Sequence, residues 1–213
     1  LQLALNRPFR GGLLLKGAYT WSQAKDMTTG GEDGWTGLTW NHPMKYEDNF
    51  AVAVFDRTHV FQLGFAYELP FLKGNEQVVG KVLGGWQING VFATYSGTPY
   101  GIGGTNNPMN CAGCGSIYIN YTGDIKPVGQ AGSMTDLYYD KAKFSQPSGL
   151  DKAGFGNTTR TSFRRPPVWN VDLSLFKAFR FGRFTPELRI EALNAFNHVN
   201  WGAPNTTFTS VNF

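Results

Sequence analysis

Apolar and polar residues alternate with a period of two in six stretches of the chain, the pattern of strands that turn one face to an apolar environment and one to water. In the first, Leu1, Leu3 and Leu5 alternate with Gln2, Ala4 and Asn6. In the second, Leu13, Leu15, Gly17, Tyr19 and Trp21 alternate with Leu14, Lys16, Ala18, Thr20 and Ser22. Phe61, Leu63, Phe65, Tyr67 and Leu69 then oppose Val60, Gln62, Gly64, Ala66 and Glu68, and Trp86, Ile88, Gly90 and Phe92 oppose Gln87, Asn89, Val91 and Ala93. Trp169, Val171, Leu173 and Leu175 oppose Asn170, Asp172 and Ser174, and finally Leu188, Ile190 and Ala192 oppose Glu187, Arg189 and Glu191. The patterns predict strands over about 1–7, 12–25, 57–70, 79–97, 167–181 and 185–197.

The connections between these strands alternate in length. A short turn at Pro8–Gly11 is followed by a long polar stretch over about 26–56, and a short turn at Leu72–Gln77 by a longer stretch over about 98–166. The last two strands meet at Gly182-Arg183. Structureless loops beyond ~12–15 residues are uncommon in compact domains. Outer-membrane barrels combine short periplasmic turns with long extracellular loops as a rule. Soluble strands also cluster near ~5–6 residues, well short of several predicted here. The expected fold is therefore all-β: a single domain over 1–213, part of an antiparallel up-and-down transmembrane β-barrel, with the long connections outside the cell. Six strands fall short of the roughly eight of the smallest membrane barrels, so the barrel is expected to be incomplete. The competing expectation is a secreted soluble β-sandwich that binds carbohydrate or a partner protein. In a barrel Leu63, Phe65, Leu173 and Ile190 face lipid; in a sandwich the apolar faces meet in a core about 10 Å thick.

The last hairpin can be placed in register. With Gly182-Arg183 as a two-residue type II′ loop between Phe181 and Phe184, Ala178 opposes Glu187, Phe176 opposes Arg189 and Ser174 opposes Glu191. A one-residue slip would turn Glu187 and Arg189 toward lipid, at about 2–4 kcal/mol for Arg at the bilayer midplane. Asp172, Glu187, Arg189 and Glu191 are thus expected to line the lumen. Trp21, Tyr67, Phe71, Trp86, Trp169, Phe179, Phe181 and Phe184 lie near predicted strand ends, where membrane barrels carry aromatic girdles.

Composition adds constraints. Aromatic residues make up 15% and charged residues 16% of the chain, with 27 glycines, which argues against disorder and favours strands and turns. Mean hydropathy is -0.27, a value that does not separate barrels from soluble β proteins, because barrel strands are apolar on one face only. The net charge of +4 comes from scattered lysines and arginines apart from the Arg164-Arg165 pair, so a nucleic-acid partner is not expected. The chain opens at Leu1 without Met or a signal peptide, is expected to begin inside a strand, and is expected to be a fragment.

No catalytic constellation emerges, and neither an enzyme nor a cofactor is expected. Cys111 and Cys114 form a CxxC motif. A redox motif would sit near a βαβ unit and a structural zinc needs four ligands, so a disulfide pinning the long loop is the favoured reading, with metal binding or free thiols as alternatives. His42, His59 and His198 are far apart. The two carboxylates of Glu187 and Glu191 flank Arg189, and a charge ladder on the lumen wall explains them better than glycosidase chemistry. Trp35, Trp40, Tyr118, Tyr121, Tyr138 and Tyr139 fall in the long connections, where aromatics contact ligands or pack loop against loop; packing is the favoured of the two.

Several blocks, in order along the chain, resemble a known family. Tyr19-Thr20-Trp21-Ser22 through Asp26 resembles a strand end with a Tyr-Thr-x-Ser-Lys core, from which Gln23 departs. Asp56-Arg57 through Tyr67-Glu68-Leu69-Pro70, and Gly85-Trp86-Gln87 through Ser96-Gly97-Thr98-Pro99, resemble two further strands. Phe155-Gly156-Asn157 with Arg160, then Asp172-Leu173-Ser174-Leu175-Phe176-Lys177, and then Glu191 through Asn194 with Phe196-Asn197-His198 and Asn200, complete the set. Together they resemble the C-terminal barrel region of TonB-dependent receptors of the Oar-like type, which carry a carboxypeptidase-regulatory-like domain at the N-terminus. The resemblance implies a barrel of about 22 strands with a plugged lumen in the bacterial outer membrane. It also implies a siderophore, oligosaccharide or peptide substrate, and energy drawn from TonB through N-terminal parts outside this sequence. Implied partners are outer-membrane lipid, the plug of the same full-length chain and the TonB complex.

Overall fold

A computed structural model describes residues 1–27, 46–72, 77–104, 118–133, 137–148, 155–202, 204–206 and 208 of the chain. The strands are β1 (Gln2–Arg10), β2 (Leu13–Trp21), β3 (Lys25–Asp26), β4 (Ala51–Val52), β5 (His59–Glu68), β6 (Trp86–Tyr95), β7 (Pro99–Tyr100), β8 (Asn120–Tyr121), β9 (Phe144–Ser145), β10 (Phe163–Arg164), β11 (Val168–Ala178) and β12 (Glu187–Ala192). One short helix, α1, spans Val78–Leu83. No helix among the described residues is long and apolar enough to cross a membrane, which has no bearing on crossing by strands.

The six long strands form one antiparallel sheet in the order β1-β2-β5-β6-β11-β12, and the sheet does not close. Each strand lies beside its neighbour in the up-and-down sequence, as the alternation of short and long connections predicts. β1, β2, β5, β6 and β11 are 9, 9, 10, 10 and 11 residues long, the length of about 9–11 residues that a tilted strand needs to span a bilayer.

Register fixes two chemically distinct faces. One row across the sheet runs Leu5, Gly17, Leu63, Phe92, Val171; the next runs Leu15, Phe65, Gly90, Leu173, Ala192; a third runs Leu13, Tyr67, Ile88, Leu175, Ile190. The other face carries rows Asn6, Lys16, Gly64, Val91, Asp172 and Glu68, Gln87, Phe176, Arg189. Gly90 belongs to the apolar face for a steric reason. A Cβ there would stand 2.7 Å from Phe65 Cζ and 2.9 Å from Leu173 Cδ2, so the Phe65 ring lies over the gap that glycine leaves.

The last hairpin has the expected register, with Ser174 opposite Glu191, Phe176 opposite Arg189 and Ala178 opposite Glu187. Gly182 has φ 58 while Arg183 is not among the positive-φ residues, the backbone of a type II′ turn.

Other boundaries differ from expectation. The strand expected over 79–97 starts only at Trp86, because Val78-Val79-Gly80-Lys81-Val82-Leu83 forms α1. The apolar residues there recur at positions 78, 79, 82 and 83, a helical spacing, and strict alternation begins at Trp86. β1 continues through the expected Pro8 turn to Arg10, with a bulge between Arg7 and Arg10 that accommodates a proline without an N–H. The stretch expected as one strand over 12–25 is split after Trp21, with β3 separate. β12 ends at Ala192 rather than near 197, since Asn194 (φ 47) and Asn197 (φ 49) turn the chain.

The chain divides into two compact units. The first comprises Leu1–Trp21, His59–Tyr95 and Pro167–Asn200 and contains the sheet; the second comprises Ser22–Thr58, Ser96–Pro166 and Trp201–Phe213. The long connections, expected to lack structure, pair β3 with β4, β7 with β10 and β8 with β9. They also hold the hydrophobic core: Tyr100, Ile102, Ile119, Tyr121, Tyr139, Phe144 and Phe163 are buried together. Among the described residues every buried apolar side chain lies in this second unit, whereas on the sheet Leu3 is 59% and Ile190 55% exposed. Among the described residues the other sheets are two-stranded, so no second sheet of a sandwich's size accompanies the six-stranded one.

Candidate functional site: a polar sheet face and an aromatic module

The polar face of the sheet places Asp172, Glu187, Arg189 and Glu191 on one side. On β12, Arg189 stands 3.5 Å from Glu187 and 3.6 Å from Glu191, with all three side chains about half exposed. Its guanidinium lies over the Phe176 ring of the neighbouring strand, 4.3 Å from the centroid. The ladder is thus anchored across the strands by a cation–π contact. Exposed pairs of this kind contribute at most about 1 kcal/mol each, so the ladder shapes the field of this face more than it stabilises the sheet. Asp172 has a different role from its neighbours. Its Oδ1 accepts from Asn170 Nδ2 at 2.7 Å and from the Asn194 backbone N–H at 2.8 Å, so it fastens the turn that ends β12. Asn194 in turn bonds both the N–H and the carbonyl of His198. Asn200 does the same for the backbone of Trp169, whose ring stacks on His198 at 3.8 Å. Two side-chain amides therefore occupy backbone groups that a longer β12 would have paired.

The aromatic module of the second unit is organised around Phe163, which is fully buried. Rings of Tyr100, Tyr121, Tyr139 and Phe144 surround it with centroids 5.8, 5.7, 5.2 and 5.6 Å away. The Tyr121 and Tyr139 contacts are edge-on, the arrangement the ring quadrupoles favour. Burial raises the hydroxyl pKa values of Tyr100, Tyr118, Tyr121, Tyr138 and Tyr139, which keeps these phenols neutral. The Tyr139 hydroxyl donates to the Arg164 carbonyl at 3.1 Å and accepts from the Arg164 N–H at 3.3 Å.

The structure places the sequence candidates as follows. Tyr118, Tyr121 and Tyr139 are buried, and Tyr121 and Tyr139 belong to the core around Phe163. Tyr138, partly buried, packs against the same core. Trp35, Trp40, Cys111 and Cys114 lie outside the described residues. Among the described residues no three His, Cys, Asp or Glu side chains are grouped to hold a metal ion.

Two ion pairs of the module join residues far apart in the sequence. Arg164 Nη2 meets Asp56 Oδ2 at 2.7 Å, and Thr58 Oγ1 and the Ala24 N–H also donate to that buried carboxylate. Burial acts to raise the Asp56 carboxyl, but the hydrogen bonds from Arg164, Thr58 and Ala24 outweigh it and hold the pKa below the ordinary 3.8. Arg160, itself buried, pairs with Asp26 and donates to the Asp26 carbonyl at 2.5 Å. Both pairs join one long connection to the other. Asp56 and Arg160 stand in the recognisable blocks of the sequence, the only signal that marks them. The same holds for Asn157, whose side chain accepts from the Tyr121 N–H and donates to its carbonyl, acting as a substitute strand partner.

No curated protein and no solved structure matches the chain. A family model described as an outer membrane beta barrel domain matches residues 1–213, the whole length. With one continuous apolar face, one polar face and strands of membrane-spanning length, the chain belongs to this family and forms part of the barrel of a protein of the bacterial outer membrane.

Proposed function

We propose that the chain is a section of the barrel wall of a TonB-dependent transporter of the Oar-like type, importing a siderophore, oligosaccharide or peptide. The observation that carries the reading is the polar face of the sheet, where Glu187, Arg189 and Glu191 form a half-exposed ladder. A narrow barrel fills its interior with side chains, whereas a wide one of about 22 strands holds a plug; a charge ladder suits docking of a polar plug surface. The residue blocks from Tyr19 to Asn200 support the specific family. The ordered module of the long connections supports an elaborate extracellular side, through which a large substrate would enter. The chain's role is structural and selective, without a catalytic step, and the plug and the TonB contact come from other parts of the full-length protein.

The test uses the full-length protein in outer membranes, with a photo-reactive cross-linker in place of Arg189. A cross-link to an N-terminal segment of the same polypeptide is expected. Cross-links confined to lipid, or to no protein segment at all, overturn the plugged-transporter reading.

A further inference from the structure

We propose that the polar face of the sheet carries a binding groove for a short zwitterionic peptide, held between Lys16 at one end and the carboxylates of Asp172 and Glu191 at the other. The inference rests on the transporter reading above and narrows its substrate classes to one.

The groove lies across the middle of the sheet and has a volume of about 340 Å³, at the small end of the roughly 300–1,000 Å³ range of ligand pockets. Its floor is Gly64. A Cβ there would meet nothing nearer than the Lys16 carbonyl at 3.9 Å, so the depression exists because glycine leaves it empty. Lys16, Gly64, Val91 and Asp172 follow one another along one row of β2, β5, β6 and β11. Glu191 on β12 ends the adjacent row, opposite Ser174.

Opposite charges stand at the two ends. The Lys16 side chain is exposed and pairs with no carboxylate among the described residues. At the far end Asp172 uses Oδ1 for Asn170 and for the Asn194 N–H, and its Oδ2 accepts from neither. Glu191 is about half exposed and reaches Arg189 only at 3.6 Å. A charge drawn away from bulk water needs a partner of opposite sign. A ligand of a single sign would suit one end and be repelled by the other, and a neutral oligosaccharide would pair with neither. Between the ends, Val91 is 53% exposed and Leu14 lines the same groove, an apolar contact between two ionic ones.

Spacing sets the length of the ligand. β2 and β11 are separated by three steps of the sheet, about 14 Å at roughly 4.8 Å per step. An extended chain rises about 3.4 Å per residue, so a free peptide of roughly three or four residues brings its terminal carboxylate to Lys16 and its terminal ammonium to Asp172 and Glu191. An apolar side chain in its middle then meets Val91 and Leu14.

The experiment uses the full-length protein in detergent, with a photo-reactive diazirine side chain at position 91 and isotopically labelled Ala-Leu-Ala as the probe. Illumination is expected to attach the peptide to position 91, read by mass spectrometry. N-acetylated or C-amidated Ala-Leu-Ala should need about tenfold more for the same labelling. Lys16→Gln should raise the requirement for the free peptide about tenfold and leave that of the amidated peptide unchanged. Glu191→Gln should weaken the free peptide and spare the acetylated one. Asp172 stays unchanged because it fastens the turn that ends β12. Gly64→Val fills the floor without altering charge and should abolish labelling. Heat-modifiable migration in gels checks the fold of each variant. Equal labelling by free and capped peptides overturns the proposal, as does labelling by maltotriose in place of the peptide. Attachment of position 91 to an N-terminal segment of the same polypeptide, undiminished by added peptide, makes the plug the occupant and overturns it too. The cross-linker at position 189 separates the two readings. If it captures the N-terminal segment while position 91 captures no peptide, the transporter stands and the peptide falls. If neither position captures its expected partner, both readings fall.

Discussion

The sheet and the aromatic module solve opposite problems with the same twenty amino acids. The sheet has no buried apolar side chain among its described residues, and Leu3, Leu5, Leu188 and Ile190 are exposed. The module buries Ile102, Ile119 and Phe163 almost completely. What holds the sheet together is its ladder of backbone hydrogen bonds, since a spanning strand must satisfy its polar groups internally and leave its apolar face to lipid. The module draws instead on ring packing and on two ion pairs, the usual means of a domain built against water. The difference teaches that exposure of apolar residues is a fault only relative to a solvent. The same leucines that would aggregate in water are the solvated surface of a barrel.

The contrast can be broken most forcefully at Phe163. Phe163→Ala removes the hub of the module and should cost about 3–5 kcal/mol of its stability. Limited proteolysis of the folded full-length protein should then cut the 98–166 connection readily, while the barrel keeps its heat-modifiable migration in gels. Loss of that migration would show that the sheet depends on the module's core.

A second substitution sharpens the comparison on the sheet itself. Leu63→Arg places a charge in an apolar row and should cost about 2–4 kcal/mol. The adjacent Gln62→Arg, on the polar face, should stay within about 0.5 kcal/mol. Urea titration of the folded fraction in vesicles compares them, and equal losses would contradict the assignment of the two faces.

The smallest expected effect concerns Asp56. Its folded pKa lies below the ordinary 3.8, so the ionised carboxylate is the form the module favours. The stabilisation is complete above that ordinary value and is lost as the pH falls through the lower folded value. Because Arg164 is one third exposed, solvent screening limits the pair to about 1–2 kcal/mol. Protease resistance of the long connections should hold from neutral pH to about 5 and weaken below 3.8. Asp56→Asn should be weaker at neutral pH and lack that acid step; an identical acid profile would remove Asp56 as its cause.

Much of the sheet was legible because strand alternation is local. Leu63 and Phe65 against Gln62 and Gly64 announce their faces within a few residues, and Gly182 sets the register of Ser174 with Glu191 through a two-residue turn. Three features were not legible. In α1 the residues Val78, Val79, Val82 and Leu83 carry strand-forming side chains at helical spacing, and the helix depends on Trp86 and Lys177 for its carbonyls. The role of Tyr121 and Tyr139 was ambiguous, because an aromatic in a long connection reads alike whether it faces ligand or core. Asp26 and Arg160 are 134 residues apart, and no short pattern announces that they meet.

The sequence by itself determined the all-β, up-and-down order, the two faces of each strand and the alternation of short and long connections. Only the tertiary structure decided that the long connections own the hydrophobic core and that the sheet owns none. The reason is physical: periodicity is written between neighbours along the chain, whereas burial depends on which distant segments come together, and the chain must close long loops before those contacts exist.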